Sequence, residues 1–376
     1  KTNYHHGEQN LFDTITKLAQ DFVGSNNIPY LEKDGQFGTR LLGGKDAANA
    51  RYIFTKLSNI TRLLFPKQDD NLLDFVYDEG EKVEPKYYLP IIPTILVNGC
   101  KAGSGTGWST SIPCYDPEVL IDYIINYLNG ESLPKLEPYY KGFTGKIKKK
   151  DKFSYETEGI FESDGKKITI TELPVMTWTD KYKEFLEGLL ESKKIKSFKN
   201  YSTPKKIKFE IVEGDMKLTK HNLKLVNTIS TSNMVLFVKD DKLKKFKNVE
   251  EILNYFIDER FNLYKTRKTH IIINLETKLK DLKVEMRFVK EVVDDDIIIF
   301  KRSEEDIISD LKKGKYEEKD GGYDYLLKIH ISKFTKTQIT KLDNEIKRIE
   351  NELESVRNTS EKDMWIKELR ELEESL

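Results

Sequence analysis

Cysteine, long apolar runs and an excess of either charge are scarce or missing in this sequence. Its two cysteines, Cys100 and Cys114, have no metal-ligand spacing around them. This argues against a disulfide scaffold or zinc module and predicts a reducing intracellular compartment. No stretch approaches the roughly 20 apolar residues of a membrane helix. The opening KTNYHHGEQN has neither an initiator Met nor an apolar signal core, so we expect no membrane contact and a soluble fragment with an internal start.

The charges balance, with 63 Lys and Arg against 63 Asp and Glu in 376 residues. Charged residues make up 34% of the chain and hydrophobic residues 38%, including 19 Phe and 19 Tyr, which is enough for folded cores. The length predicts two or three domains. A net charge of zero means that any nucleic-acid site must be a local basic patch balanced by acidic surface elsewhere.

Glycine and proline are concentrated in residues 1–116, in runs such as GQFGTRLLGG and NGCKAGSGTGW. Such runs occur where backbone approaches a ligand or turns sharply. Between them, the spacing of apolar residues predicts helices over Asn10–Val23 and Asp46–Leu64. Residues 117–248 mix short β-rich runs with helical patterns, which predicts an α+β domain. Its predicted elements are a helix at Asp180–Leu190 and strands at Lys166–Leu173, Lys206–Val212 and Met234–Val238.

Residues 249–376 contain two heptad seams flanked by Glu and Lys. The first is formed by Leu275, Leu279, Leu282, Met286 and Val289, and the second by Leu342, Ile346, Ile349, Leu353 and Val356. They indicate either an antiparallel coiled coil with a small globular tip or two ordinary helices of a bundle. Periodicity alone leaves both open. The polar segments Val293–Asp296 and Lys312–Gly322 are expected to be loops.

The residue types needed to cut a phosphodiester by transesterification occur together near residue 50. Arg51 and Tyr52 are neighbours, so a phenol nucleophile stands beside a guanidinium that can span two phosphate oxygens. Gly43, Gly44 and Lys45 offer flexible backbone and a cation that suit phosphate contact. Arg40 and Arg62 add positive charge. The alternative is that Tyr52 is a core aromatic residue.

Two other groups are weaker candidates. The pair His5 and His6 is compatible with a metal site, a helix cap or a phosphate contact, and the pattern favours a structural role. Asp69 and Asp70 follow Pro66 and have no His or Cys partner in sequence. We expect these two acids to be solvated or to cap a helix.

A series of motifs resembles the type IIA DNA topoisomerases of eukaryotic type. They come in the family's order and cover essentially the whole chain: YHHGE, AQDFVGSNN, GQFGTRLLGGKDAANARYIFTKL, RLLFP, VEPKYYLPIIP, GTGWS, TELPVMTWTDKYKE, TSNMVLF, KKFKNVEEILNYFIDERFNLYKTRK, DYLL and MWIKELREL. RYIFT in place of a bacterial-type RYTE indicates the fused eukaryotic form.

The resemblance implies a multidomain α+β fold in three parts. These are a winged-helix DNA-cleavage domain at residues 1–116, an α/β tower at 117–248, and a long antiparallel coiled coil at 249–376. A small helical exit gate is expected at about 294–335. The resemblance therefore favours coiled-coil arms over a plain bundle.

The family's functional residues fall on positions of this chain. Tyr52 matches the nucleophile that forms a 5′-phosphotyrosyl link, Arg51 its arginine, and His6 a residue lining the cleavage site. Lys45 matches a DNA contact near the cut, and we also assign DNA contacts to Gly44 and Arg40. Ser104 occupies the position of an isoleucine that wedges between base pairs in many members. A hydroxyl cannot form an apolar wedge, so either DNA bending differs or a neighbouring residue takes this role.

The resemblance also implies what this segment lacks. The family holds Mg²⁺ in a Toprim domain and binds ATP in a separate ATPase domain, and neither motif occurs in this chain. The expected partners are double-stranded DNA and a second copy joined through the exit gate. Alone, the fragment should bind DNA and dimerise without relaxing supercoils. We expect a nuclear location, or a cytoplasmic viral factory if the source is a large DNA virus. The alternative function is an architectural DNA-binding homologue that never cleaves.

Overall fold

The computed structural model describes residues 2–105 and 107–376, and its contacts divide the chain into two compact units. The first unit comprises the residues up to Phe261 together with Trp365–Leu376, and the second comprises Asn262–Met364. The α+β fold predicted from the sequence is confirmed. The boundaries proposed for the winged-helix, tower and coiled-coil domains stay predictions.

The described helices and strands follow one another along the whole chain. The helices are α1 (Glu8–Ala19), α2 (Asn59–Leu64), α3 (Thr94–Val97), α4 (Pro117–Asn129), α5 (Thr179–Glu191), α6 (Val249–Val293), α7 (Glu304–Lys313), α8 (Asp324–Leu327), α9 (Lys336–Asn358) and α10 (Glu361–Glu373). The strands are β1 (Leu31–Asp34), β2 (Phe54–Leu57), β3 (Phe75–Asp78), β4 (Glu81–Pro85), β5 (Cys100–Gly105), β6 (Trp108–Ile112), β7 (Lys146–Asp151), β8 (Ser154–Glu158), β9 (Ile160–Asp164), β10 (Lys167–Glu172), β11 (Ile195–Asn200), β12 (Phe209–Glu213), β13 (Val226–Ser230), β14 (Met234–Val238) and β15 (Lys242–Phe246).

The strand pairs of the described residues are antiparallel. One sheet has the order β11-β12-β10-β9 and another the order β13-β8-β7. Four two-stranded pairs accompany them: β1-β2, β3-β4, β5-β6 and β14-β15. The predicted strand at Met234–Val238 is confirmed, as are the strand β10 and the helix α5. The strand predicted to begin at Lys206 begins three residues later, at Phe209.

One apolar core lies where α5 covers the four-stranded sheet. Ile170 and Phe209 of the sheet and Leu186 of α5 are fully buried there. Tyr182 is buried with them, and its hydroxyl donates to the carbonyl oxygen of Leu223 at 2.7 Å. Burial raises the pKa of Tyr182 because the charged phenolate would lose its hydration. This core buries one side of α5 against the four-stranded sheet.

The helix predicted over Asp46–Leu64 is wrong. The segment instead forms a 3-10 turn at Ala50–Tyr52, the strand β2 and the short helix α2. Strand β2 pairs with β1, from Leu57 opposite Leu31 to Phe54 opposite Asp34. β-branched and aromatic side chains such as those of Ile53, Phe54 and Thr55 favour extended backbone, and pairing with a distant strand stabilises it.

The second unit contains an antiparallel helix pair formed by the second part of α6 and by α9. Leu275 of α6 packs with Ile349 and Leu353 of α9. Residues further along α6 meet residues earlier in α9, since Glu276 pairs with Arg357. Seven residues on, Lys283 Nζ lies 2.6 Å from Glu350 Oε1. The coiled-coil alternative is therefore confirmed over the bundle.

A small separate core lies at one end of this helix pair. It includes Phe288, Ile307, Leu311, Tyr323 and Leu326 from α6, α7, α8 and the segments between them. The acidic run after Val293 and most of the segment before Tyr323 are turns and loops, as expected. The sequence prediction of two arms with a globular tip is thus confirmed within this unit.

Candidate active site

Tyr52 is the last residue of the 3-10 turn that precedes β2. Its backbone N–H donates to the carbonyl oxygen of Asn49 at 2.9 Å, which fixes the turn. The side chain is 65% exposed. Tyr52 is therefore not a core aromatic residue.

The guanidinium of Arg51 lies over the ring of Tyr52, with its carbon 4.9 Å from the ring centroid. Within residues 2–105 and 107–376, no carboxylate lies within ion-pair distance of Arg51, so none of these residues neutralises its charge. Arg51 also lines a groove of about 360 Å³ with Phe12 and Ile15 of α1. An arginine beside a phenol, without an acidic partner in the described chain, can bind a phosphate.

The glycine-lysine loop is built so that only glycine fits at two positions. Gly43 has φ +63°, and a Cβ there would lie 2.4 Å from the indole of Trp178. Gly44 has φ +86°, and its Cβ would lie 2.3 Å from the amide of Gln20. The loop is therefore packed tightly while the next residue, Lys45, is exposed. Lys45 has no ion-pair partner in the described part of the chain, so its charge is available to a phosphate.

Further hydrogen bonds hold this loop to its surroundings. The Asp46 carboxylate accepts from the backbone N–H of Thr39 at 2.8 Å. Gln20 Nε2 donates to the carbonyl oxygen of Phe37 at 2.9 Å. At the start of α5, the N–H of Asp180 donates to the carbonyl oxygen of Leu41 at 3.0 Å. The loop thus lies between α1 and α5 in a defined position.

Arg40 is buried and ion-paired, whereas a side chain that contacts DNA has to be exposed. Arg40 is only 8% exposed, and its Nη2 lies 2.6 Å from Glu172 Oε1 and 3.0 Å from the carbonyl oxygen of Leu173. Glu172 also accepts from the N–H and hydroxyl of Thr144. The positive charge of Arg40 is therefore compensated inside the protein. Its placement indicates a structural tie between the glycine-lysine loop and β10, so Arg40 is not among the proposed DNA contacts.

The expectation for Asp69 is wrong. Asp69 is buried, and its Oδ2 accepts from Arg260 Nη1 at 2.7 Å. Arg260 also donates to the carbonyl oxygen of Leu89 at 2.8 Å. Asp70 is half-buried and lies 3.5 Å from Arg62, which partly neutralises that arginine. No local sequence pattern indicates the buried pair, since its members are 191 residues apart.

His6 is exposed just before α1. Its ring lies edge-on to Tyr4, with 5.5 Å between centroids. The neighbouring His5 bonds to Asn3 and lies 3.9 Å from Asp78, and the N–H of Asn3 donates to Glu84. These contacts hold the segment to the β3-β4 pair. In the part of the chain that is described, no hydrogen bond or ring contact joins His6 to Tyr52 or Arg51.

The described residues contain no group of three or more His, Cys, Asp or Glu side chains arranged to hold a metal ion. None of the described helices is long and apolar enough to cross a membrane. The candidate residues that the described structure brings into contact are Tyr52 and Arg51, and the glycine-lysine loop precedes them in sequence.

We refer to the antiparallel pair of β5 (Cys100–Gly105) and β6 (Trp108–Ile112) as the wing. Ser104 pairs with Ser109 across it, and Gly105 pairs with Trp108. The side chain of Ser104 and all of Thr106 lie outside what the structure describes, so the prediction for Ser104 stays open. Trp108 is exposed near the tip.

Residues 1–370 match the model of the DNA gyrase/topoisomerase IV A-subunit family. Given the exposed tyrosine-arginine pair and this match, the chain belongs to that family of DNA topoisomerases. Over 99% of its length it is 38% identical to DNA topoisomerase 2 of Arabidopsis thaliana, covering 29% of that protein. It is 40% identical to DNA topoisomerase 2 of Invertebrate iridescent virus 6, covering 99% of this chain and 33% of that protein.

The fold gives the same result. The DNA-binding, cleavage and re-ligation domain of Plasmodium falciparum topoisomerase II matches with a TM-score of 0.91 and 38% identity, over 100% of this chain and 56% of that one. The resemblance to eukaryotic-type type IIA enzymes is confirmed. The chain spans about a third of the length of the curated relatives it matches.

Proposed function

We propose that this chain is the breakage-reunion part of a eukaryotic-type type IIA DNA topoisomerase in which Tyr52 is the nucleophile. The observation that carries the proposal is the exposed phenol of Tyr52 beside the guanidinium of Arg51. The substrate is double-stranded DNA. Passage of a second duplex through the break would change supercoiling and catenation.

In the proposed step, the Tyr52 hydroxyl oxygen loses its proton and attacks a backbone phosphorus. A bond forms between the tyrosine oxygen and phosphorus, the bond from phosphorus to the 3′-oxygen breaks, and the departing 3′-oxygen gains a proton. The product is a 5′-phosphotyrosyl link and a free 3′-hydroxyl, which can attack the same phosphorus to reseal the strand. A phenolate is a good leaving group, so resealing needs no external energy.

Other residues of the chain support this step in the proposal. The Arg51 guanidinium contacts the non-bridging phosphate oxygens, where charge develops in the transition state. Lys45 and the backbone of Gly44 contact neighbouring phosphates. His6 lines the cleavage site once DNA is bound. Ser104 would face DNA at the wing, with the apolar wedge weakened or supplied by a neighbour.

The described residues do not form a metal site. From the family to which the chain belongs, we infer that Mg²⁺ is held by a Toprim domain outside this chain and that ATP is bound by an ATPase domain, also outside it. The nucleus is the proposed compartment, with a viral factory as the alternative. The proposed domains are residues 1–116, 117–248 and 249–376.

A homodimer through the tip of the second unit is also part of the proposal. Ile298, Phe300 and Ile331 all lie within the predicted gate at about 294–335, and each is more than half exposed. A contiguous exposed apolar patch commonly marks an interface, and we propose that a second copy of this tip covers these three side chains.

The test uses the full-length protein with its upstream domains. Tyr52→Phe should reduce covalent protein-DNA adduct to background and leave DNA binding within about twofold, because it removes only the nucleophilic oxygen. Tyr77→Phe is the matched control, since Tyr77 is 66% exposed and lies outside the site. Undiminished adduct in Tyr52→Phe would reject the proposal. DNA binding without adduct in the wild type would favour an architectural role.

A further inference from the structure

Asn233, which precedes β14, is hydrogen-bonded to the second strand of the wing. Its Nδ2 donates to the carbonyl oxygen and to the hydroxyl oxygen of Ser109, both at 3.0 Å. Its own carbonyl oxygen accepts from the N–H of Ser111 at 2.9 Å. One residue therefore binds β6 at two positions on either side of Thr110.

Neighbouring residues reinforce this attachment. The N–H of Val235 donates to the Thr110 hydroxyl at 3.0 Å. On the other side of Asn233, the N–H of Thr231 donates to the carbonyl oxygen of Phe153 at 2.8 Å. The hydroxyls of Ser230 and Ser232 lie 2.8 Å apart and stiffen the turn. Asn233 is thus fixed to the β13-β8-β7 sheet on one side and to the wing on the other.

The wing has few internal means of holding a fixed direction. It is a two-stranded pair, and such pairs are marginal on their own. Its register is interrupted between Cys100 and Gly103, and irregular pairing of this kind bends a hairpin. The direction of the wing therefore depends on what binds its strands from outside.

We propose that Asn233 is a positioning residue that sets the direction of the wing, and that DNA bending depends on its side-chain amide. The part concerning DNA rests on the proposed function, whereas the part concerning wing order does not. Asn233 acts through β6 and does not itself contact the scissile phosphate.

The experiment compares Asn233→Ala with Asn222→Ala in the full-length protein. Asn222 is the matched control, because its Nδ2 also donates to a backbone carbonyl oxygen, that of Lys217 at 2.8 Å, but far from the wing in sequence. Hydrogen exchange is followed in the peptide covering residues 100–112. The bend of a short gate duplex is measured by energy transfer between its ends.

Asn233→Ala should speed exchange in residues 100–112 roughly tenfold, the effect of losing both side-chain hydrogen bonds to Ser109. It should also lower the bent fraction of DNA severalfold, with an unchanged melting temperature. Ser109→Ala removes only one of the two side-chain bonds and should give a smaller change in both. Asn222→Ala should change neither.

Two results would overturn the inference. Unchanged exchange in Asn233→Ala would show that the wing is held in other ways. Faster exchange with wild-type bending would reduce Asn233 to a purely structural residue. The proposed chemistry is tested by covalent adduct formation in Tyr52→Phe, whereas the wing assignment is tested by hydrogen exchange, which needs no DNA. A failure of one can therefore be distinguished from a failure of the other.

Discussion

Arg40 and Lys45 lie five residues apart, yet their surroundings in the structure are opposite. Arg40 is buried against Glu172, whereas Lys45 is exposed without an ion-pair partner in the described residues. Arg40→Gln would leave the buried carboxylate of Glu172 without its main counter-charge. Removing one member of a buried ion pair costs about 3–5 kcal/mol, because the remaining charge is desolvated and uncompensated. Lys45→Gln should cost less than about 0.5 kcal/mol.

In DNA binding the order should be reversed, with the larger effect in Lys45→Gln and the smaller one in Arg40→Gln. Each lysine or arginine that neutralises a phosphate contributes about 0.9 to the slope of log K against log salt concentration. Lys45→Gln should reduce that slope by about one. Arg40→Gln should leave the slope unchanged under conditions where the protein is still folded.

The assays are urea unfolding of the fragment and DNA binding from about 50 to 200 mM salt. Arg40→Gln with wild-type stability and a lower salt slope would refute the structural assignment of Arg40. Arg40→Met combined with Glu172→Leu should recover part of the lost stability, since it removes both charges at once.

Three further changes test other parts of the molecule. Gly43→Ala should destabilise by about 2–4 kcal/mol in a melting experiment, because it adds strain at positive φ and a clash with Trp178, whereas Gly188→Ala within α5 should not. Two lysines lower the pKa of Glu158 to about 2. The carboxylate therefore stabilises the folded state fully above about pH 4.5, and this contribution is lost as the pH falls towards 2. Glu158→Gln should remove about 1 kcal/mol of that acid dependence of the unfolding free energy. Phe300→Glu should weaken the proposed homodimer at least about tenfold in sedimentation, and a wild-type dimer constant would reject the tip as the interface.

Periodic elements were predictable because their signal is local. The seams through Leu275 and Ile349 predicted helices from side-chain spacing, and the structure decides for the antiparallel pair that periodicity had left open beside a bundle. The strand β14 and the helix α5 were found in the same way. In contrast, the helix predicted over Asp46–Leu64 failed because β2 is stabilised by β1, more than twenty residues earlier.

The same distinction between local signals and distant contacts applies to the candidate site. Tyr52 and Arg51 are adjacent, so their chemistry was visible in the sequence, and only their exposure had to come from the structure. The partners of Arg40 and Asp69 lie 132 and 191 residues away, and no local pattern indicates which arginine or aspartate will be buried. Gln20 and Trp178, which shape the glycine-lysine loop, were missed for the same reason.

The most direct test of the central proposal is to identify the amino acid that becomes linked to DNA. The full-length protein would be trapped on a labelled duplex with Mg²⁺, digested with protease and nuclease, and analysed by mass spectrometry. The account predicts one modified peptide, which contains Tyr52 joined to a 5′-phosphate. A link at any other residue, or a 3′-phosphate link, would contradict it.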